Sequence, residues 1–181
     1  FEIIKEILKQ LNFNFHASSL DILKNKQRGN FNIKNYILLH FDEKWIYKDY
    51  IKKFINIEPT PDQLANFFDK IMVKTNKNLV ITSGLKMPIL LNNALKKNLN
   101  KNIFFFKDLN FFKLEDIIIN SDIMISCHGS VSHVASAKNI KQIDIIDKSY
   151  SYSRWTHHFR NYNSIFRTSF DELSKRIIDK L

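Results

Sequence analysis

The segment Ser126-Cys127-His128-Gly129-Ser130-Val131-Ser132-His133 gathers hydroxyls, imidazoles and one of only three glycines in a chain of 181 residues. It follows the apolar run Ile123-Met124-Ile125 and leads into Val134-Ala135. A strand that ends in a small polar turn and enters a helix directly is a ready anion site. The first N–H groups of the helix lack intrahelical acceptors, and the helix dipole favours negative charge there. The hydroxyls of Ser130 and Ser132 can bond phosphate oxygens, and a protonated His133 would add positive charge in the same turn. In so glycine-poor a chain, Gly129 points to an unusual backbone conformation or to close approach of a ligand. The plain alternative is a strand-to-helix turn with Ser130 as its N-cap.

Other residues compete for a chemical role. Lys44 could reach a diphosphate, and its neighbour Trp45 could wall a pocket, though a tryptophan is more often a packing residue. Ser83-Gly84 could admit a ligand to the backbone, or simply turn the chain before Pro88. Arg154, His157, His158 and Arg160, together with Tyr152 and Trp155, suit a nucleotide or acidic acceptor, or a solvated loop anchored by Trp155. A Ser-His-Asp hydrolase is disfavoured, because the nucleophile elbow Gly-x-Ser-x-Gly is missing. His128 and His133, with His157 and His158, match no standard zinc spacing, so no metal is expected. Cys127 reads as a small buried residue and not a nucleophile.

The elements that position these residues alternate between strand and helix. Short apolar runs predict strands at Tyr36–His40, Asn78–Thr82, Ile103–Phe106, Asp122–Ser126 and Gln142–Ile146, with a last short one at Ser164–Arg167. Thr60 is a candidate N-cap, with Pro61 opening a helix to about Lys74 that turns Leu64, Phe67, Phe68, Ile71 and Met72 inward. Further helices are expected from Pro88 to Lys97, Lys113 to Ile118, Ser130 to Lys138, and Phe170 to Leu181 with Ser169 as cap. Residues 41–45 and 147–163 read as loops. Residues 1–11 have the apolar spacing of an amphipathic helix, 12–34 are mixed and polar, and 46–55 could form a short helix. This alternation predicts an α/β fold, a Rossmann-like doubly wound parallel sheet with helices on both faces. Ligands of such sheets bind outside the carboxyl ends of the strands, near the reversal of strand order. The informative loops are therefore 41–45, 83–88, 107–112, 127–133 and 147–157.

Composition sets the frame. The length suits a single domain over 1–181, with 1–34 as a leading helix and linker region. Hydrophobic residues make up 44% of the chain, which argues against global disorder. The single cysteine forbids an internal disulfide and fits a reducing compartment. No apolar run approaches the ~18 residues of a membrane span, and the start lacks the apolar core of a signal peptide. The chain begins without Met and reads as a fragment or processed piece. A net charge of +10 suggests an anionic partner. The lysines are scattered among Asn, Ile and Phe, as AT-rich codons would give, and no nucleic-acid signature accompanies them. No specific nucleic acid is expected. A polyanion-binding module driven by charge is the non-enzymatic alternative.

The order of these motifs resembles the C-terminal, nucleotide-sugar-binding half of a GT-B glycosyltransferase, and is most similar to glycosyltransferase family 9, the heptosyltransferase group. The resemblance covers residues 36–147. It rests on Leu38-Leu39-His40-Phe41-Asp42-Glu43-Lys44-Trp45, on Ile81-Thr82-Ser83-Gly84, on the run from Leu114 to Ser126, and on His128 to Ala135 followed by Ala137. The family reads Asp-Ser/Thr-Gly-x-x-His at the turn. Aligned on His133, its aspartate position holds His128, its hydroxyl position Gly129 and its glycine position Ser130, a departure that bears on donor recognition.

The resemblance implies sugar transfer from a nucleoside diphosphate sugar to a cell-surface glycan or lipopolysaccharide-type acceptor. Lys44, Ser83, Gly84, His128, Gly129, Ser130, Ser132 and His133 would bind the donor. The catalytic base of the family lies in an N-terminal domain that is not seen in this sequence, so the fragment would be incomplete as an enzyme, and its catalytic residues stay unknown. No metal or other cofactor is implied if N–H groups and cations stabilise the leaving diphosphate, each such contact being worth ~2–4 kcal/mol of barrier. The positive charge would suit a cytoplasmic protein held at the anionic inner face of a membrane without insertion. The alternatives are a sugar-nucleotide epimerase or hydrolase of the same architecture, or the polyanion binder.

Overall fold

The computed structural model describes residues 10, 31–46, 58–98, 100–147 and 151–181. The expected helix at 1–11 lies outside these residues except for Gln10, which is helical. The expected polar stretch 12–34 and short helix 46–55 also lie almost wholly outside them.

Six strands form one sheet: β1 (Tyr36–His40), β2 (Asn78–Ser83), β3 (Ile103–Lys107), β4 (Ile123–Cys127), β5 (Lys141–Ile146) and β6 (Tyr162–Phe166). Their order is β3-β2-β1-β4-β5-β6, and every neighbouring pair is parallel. The helices between them are α1 (Pro61–Thr75), α2 (Ile89–Lys97), α3 (Phe111–Asn120), α4 (Ser130–Ala137), the short α5 (Ser153–Thr156) and α6 (Phe170–Lys180). The expected doubly wound parallel sheet is the observed fold.

Alternation along each strand divides the core between the two faces. Ile37, Leu39, Leu79, Ile81, Ile125, Ile143 and Ile145 meet α1, α2 and α6 through Leu64, Phe67, Phe68, Ile71, Leu91, Phe170, Leu173 and Ile177. Tyr36, Leu38, Val80 and Met124 meet α3 and α4 through Ile117, Ile118, Val131 and Ala135. The central strands read as unbroken apolar runs because both of their faces are covered.

Local chemistry sets the helix ends. Thr60 caps α1 with the reciprocal bonds of a capping box: its hydroxyl accepts from Gln63 N–H at 3.2 Å, and the Gln63 side chain accepts from Thr60 N–H at 2.8 Å. Pro61 occupies the first helical position, as its missing N–H allows. Asn76 ends the helix in the left-handed region, at φ 52°.

Several boundaries differ from expectation. The helix expected at Lys113 starts at Phe111, because the Asn110 side chain accepts from Lys113 N–H at 3.0 Å and caps it. Pro88 is the N-cap of α2 and not its first residue, because its ψ of 135° is not helical. Residues 43–45, expected in a loop, wind into a 3₁₀ turn whose N-cap is Asp42. The expected loop 147–163 contains α5 and gives up Tyr162 and Asn163 to β6, where pairing with β5 satisfies their backbone. Ser169 does stand at the start of α6, but its side chain makes no capping bond.

Candidate functional site

The chain leaves β1 toward β2 and β3 on one side of the sheet, and continues from β4 toward β5 and β6 on the other. The carboxyl ends of β1 and β4 therefore flank the topological switch point, where a doubly wound sheet opens a crevice. Two loops meet there. Asp42 accepts from Lys44 N–H at 3.0 Å and so shapes the 3₁₀ turn after β1. From this turn Lys44 Nζ reaches the carbonyl oxygen of His128 at 2.9 Å, with Asp42 Oδ2 at 3.4 Å. Burial pushes the Asp42 carboxyl above its ordinary value, and the Lys44 charge opposes this. Trp45 is buried, stacks on Phe41 with centroids 5.2 Å apart, and donates to His40 O at 2.8 Å. It packs in the core and anchors the turn that presents Lys44.

Gly129 is the N-cap of α4, and Ser130 is the first helical residue, so the expected capping role of Ser130 is not realised. The backbone of Gly129 is extended, at φ 178°, which any residue can adopt, so no unusual conformation requires glycine. What it provides is space for close approach: a Cβ there would overlap Lys44 Nζ and push aside the flexible end of that side chain. Ser132 closes the turn, donating its N–H to Gly129 O at 3.0 Å and accepting Gly129 N–H on Oγ at 3.3 Å. The first-turn amides of Ser130 and Val131 are the ones a helix cannot satisfy by itself.

Beneath this turn lies a carboxylate that sequence reasoning missed. Asp144, on β5, is completely buried. Its Oδ1 accepts from Ser132 Oγ at 2.8 Å, and its Oδ2 accepts from Tyr162 OH at 3.0 Å and faces His128 Nδ1 at 2.6 Å. Burial, and then the Asp144 charge, push the Tyr162 phenol well above its ordinary value. The Ser132 hydroxyl, expected to face a phosphate, is thus turned into the domain, where Asp144 and Ser126 Oγ at 3.3 Å hold it. The signal for Asp144 was an acid inside the strand Gln142-Ile143-Asp144-Ile145-Ile146, since a buried charge needs partners.

The rings of His128, His133, His158, Tyr152 and Phe159 form one cluster, with His128 to His133 at 5.6 Å and His128 to Tyr152 at 4.9 Å. Burial, and then the neighbouring imidazoles of His128 and His158, push His133 below its ordinary value. The expected charge on His133 is therefore disfavoured at neutral pH. His158 is pushed down in the same way, by burial and by His157. Trp155 stays largely exposed and anchors no core. Among the described residues, no group of three or more His, Cys, Asp or Glu is placed to hold a metal ion.

Cys127 is buried, and burial pushes its thiol up to about 12, so it is the small, inert residue expected. A second residue that the sequence did not flag, the buried Arg167, donates to Cys127 Sγ at 2.8 Å and pins β6 behind the turn. Ser83 ends β2, next to β1, and Gly84 follows it. Ser83 is buried with its hydroxyl near Gly84 O at 3.4 Å, whereas Gly84 is exposed with open space around its Cα. Nothing around Gly84 in the structure demands a glycine. The structure brings Lys44, His128, Gly129, Ser130, Ser132 and His133 to one end of the sheet, with Ser83 and Gly84 one strand away.

No protein-family model matches this chain, and no curated protein sequence matches it. Solved structures do. The Escherichia coli ADP-heptose lipopolysaccharide heptosyltransferase II superposes with a TM-score of 0.61 at 13% identity, over 92% of this chain and 51% of that one. The E. coli heptosyltransferase WaaC with ADP gives 0.60 at 8% identity, over 96% and 54%. The Methanocaldococcus jannaschii UDP-GlcNAc 2-epimerase in complex with UDP-GlcNAc and UDP gives 0.59 at 14% identity, over 97% and 51%. The fold is that of one half of these proteins. The chain spans about half of their length, and identities this low establish shared architecture, the Rossmann-like arrangement of GT-B glycosyltransferases, and not shared activity. No described helix is long and apolar enough to cross a membrane.

Proposed function

We propose that this chain is the donor-binding half of a glycosyltransferase that moves a sugar from a nucleoside diphosphate sugar to a glycan or lipopolysaccharide-type acceptor. The observation that carries the reading is the Lys44 bridge to the His128 carbonyl. It sets an ammonium group against the N-terminus of α4 at the switch point of the sheet. A diphosphate entering there meets the Ser130 and Val131 amides, the helix dipole and Lys44 together. Those groups stabilise charge developing on a leaving diphosphate without a metal ion. His128, Gly129, Ser130 and His133 line the same turn, and Ser132 supports it from below through Asp144. Ser83 and Gly84 are assigned to the edge of the donor site. The catalytic base is assigned to a second domain, which makes this chain incomplete as an enzyme. A cytoplasmic location at an anionic membrane face fits the net charge of +10.

A second reading, a sugar-nucleotide epimerase or hydrolase, is favoured by one observation: epimerases superpose on this chain as closely as heptosyltransferases do. Both readings place the nucleotide diphosphate in the same crevice.

The test is a thermal-shift screen against ADP, UDP, GDP, CMP and their sugars at moderate salt without added metal. One diphosphate family should raise the melting temperature, since a ligand selective for the native state stabilises it. Turnover of that nucleotide sugar without any acceptor would favour the epimerase or hydrolase. Binding that is indifferent to the nucleotide, with an affinity falling linearly in a log–log salt plot, would replace both with a polyanion binder.

A further inference from the structure

The carboxylate of Asp144 reaches no solvent, and its neighbours are donors on α4, on β6 and in the turn after β4. A carboxylate accepts hydrogen bonds and cannot give one. With Asp144 ionised, the His128 nitrogen that faces Oδ2 at 2.6 Å is an N–H, and the proton sits on Nδ1. Nε2 has no partner among the described residues, and the side chain keeps 13% of its surface exposed. The backbone of the same residue accepts the Lys44 ammonium, so this imidazole stands at the rim of the anion-binding turn.

We propose that Asp144 is a positioning residue of the donor site: by holding the proton on Nδ1 of His128, it makes Nε2 the nitrogen that meets the nucleotide sugar. Uncharged, Nε2 accepts from a hydroxyl of the ligand; protonated, it donates to a phosphate oxygen. In both states Nδ1 keeps its proton. The other titratable groups around His128 do not compete for Nδ1. His133 and Tyr152 meet the ring edge-on, at centroid distances of 5.6 and 4.9 Å, Tyr162 donates to the same Oδ2, and Lys44 sits at the backbone oxygen.

The inference rests on the donor-site reading for its ligand, but its first measurement needs none. Long-range ¹H–¹⁵N correlation spectra of the whole chain, labelled with ¹⁵N-histidine, report which ring nitrogen is protonated. The His128 signals are identified by their loss in His128→Gln. We expect the neutral ring of His128 in the Nδ1–H form. A His128 in the Nε2–H form overturns the proposal without any variant that might fail to fold. Asp144→Asn replaces the obligatory acceptor by an amide that can also donate. It should shift His128 toward the Nε2–H form and weaken binding of the nucleotide sugar found in the screen by about tenfold. Tyr162→Phe removes another donor to the same oxygen, and should leave both the tautomer and the affinity within about twofold. An Asp144→Asn protein with altered tautomer but unchanged affinity overturns the positioning role while the Lys44 site stands. Absence of binding by the unsubstituted chain to every nucleotide sugar overturns the donor reading and this role together, and leaves the tautomer as a property of the fold.

Discussion

Lys44 Nζ lies 2.9 Å from the carbonyl oxygen of His128, so one ammonium group joins the loop after β1 to the turn after β4 across the switch point of the sheet. The two residues are 84 apart in sequence. Their contact depends on Gly129, whose missing Cβ leaves the space that the ammonium fills.

Two substitutions therefore converge on one effect. Lys44→Ala removes a charged hydrogen-bond donor and should weaken nucleoside diphosphate binding by about 1.5–3 kcal/mol. Gly129→Ala should displace the flexible end of Lys44 and weaken binding in the same direction, with the helix intact. Isothermal titration calorimetry with far-ultraviolet circular dichroism checks both. Unchanged affinity in both variants removes the diphosphate from this crevice.

His133 should make donor binding sensitive to pH. Burial and the imidazoles of His128 and His158 hold it below its ordinary value, so it is mainly neutral near pH 7. Acidification protonates it and adds positive charge beside the anion. Affinity for a nucleotide sugar, whose diphosphate diester stays charged, should rise only as the pH falls below the ordinary histidine value, because His133 is held down. His133→Ala should flatten that rise and lower the affinity.

His40 predicts a pH dependence of stability with a definite sign. Burial, and then the Lys44 charge, hold it down to about 4, while the unfolded chain titrates it near 6.5. Between these values the unfolded state binds more protons, so stability is complete above 6.5 and is lost as the pH falls toward 4. Urea unfolding at pH 7 and pH 5 should differ by up to about 2 kcal/mol from this residue. His133 and His158 act with the same sign. His40→Gln should reduce the difference, and a larger stability at pH 5 would contradict the assignment.

The pair Glu115–Lys138, at 3.2 Å between α3 and α4, is almost fully buried. Removing one charge takes this contact from the other, so Glu115→Leu alone should cost up to about 3–5 kcal/mol. Glu115→Leu with Lys138→Met should recover most of that loss, because a buried ion pair gains little over apolar packing. Chemical denaturation of the unsubstituted chain, Glu115→Leu, Lys138→Met and the double variant closes the cycle.

Much of the architecture was legible in the sequence because it is local. Thr60-Pro61 with Gln63 carries its own cap, and the runs at 36–40, 78–82 and 123–125 are apolar because both of their faces are covered. The turn at 127–133 was legible as well, through the scarcity of glycine and the density of hydroxyl and imidazole groups. The start of α3 was not, because exposed Phe111 and Phe112 hide the beginning of the helix behind an apolar signature.

The sequence by itself determined the strand–helix alternation, the parallel sheet and the turn that opens α4. Periodicity and capping act over a few residues, and parallel strands need crossovers. Tertiary structure alone decided the partners. Asp144 became the support of His128 and Ser132, Lys44 became a bridge, and Gly129 became a matter of space and not of torsion. Each of these depends on the strand order that sets β1, β4 and β5 side by side. That order follows from how the whole chain packs on both faces of the sheet, and no short stretch of residues encodes it.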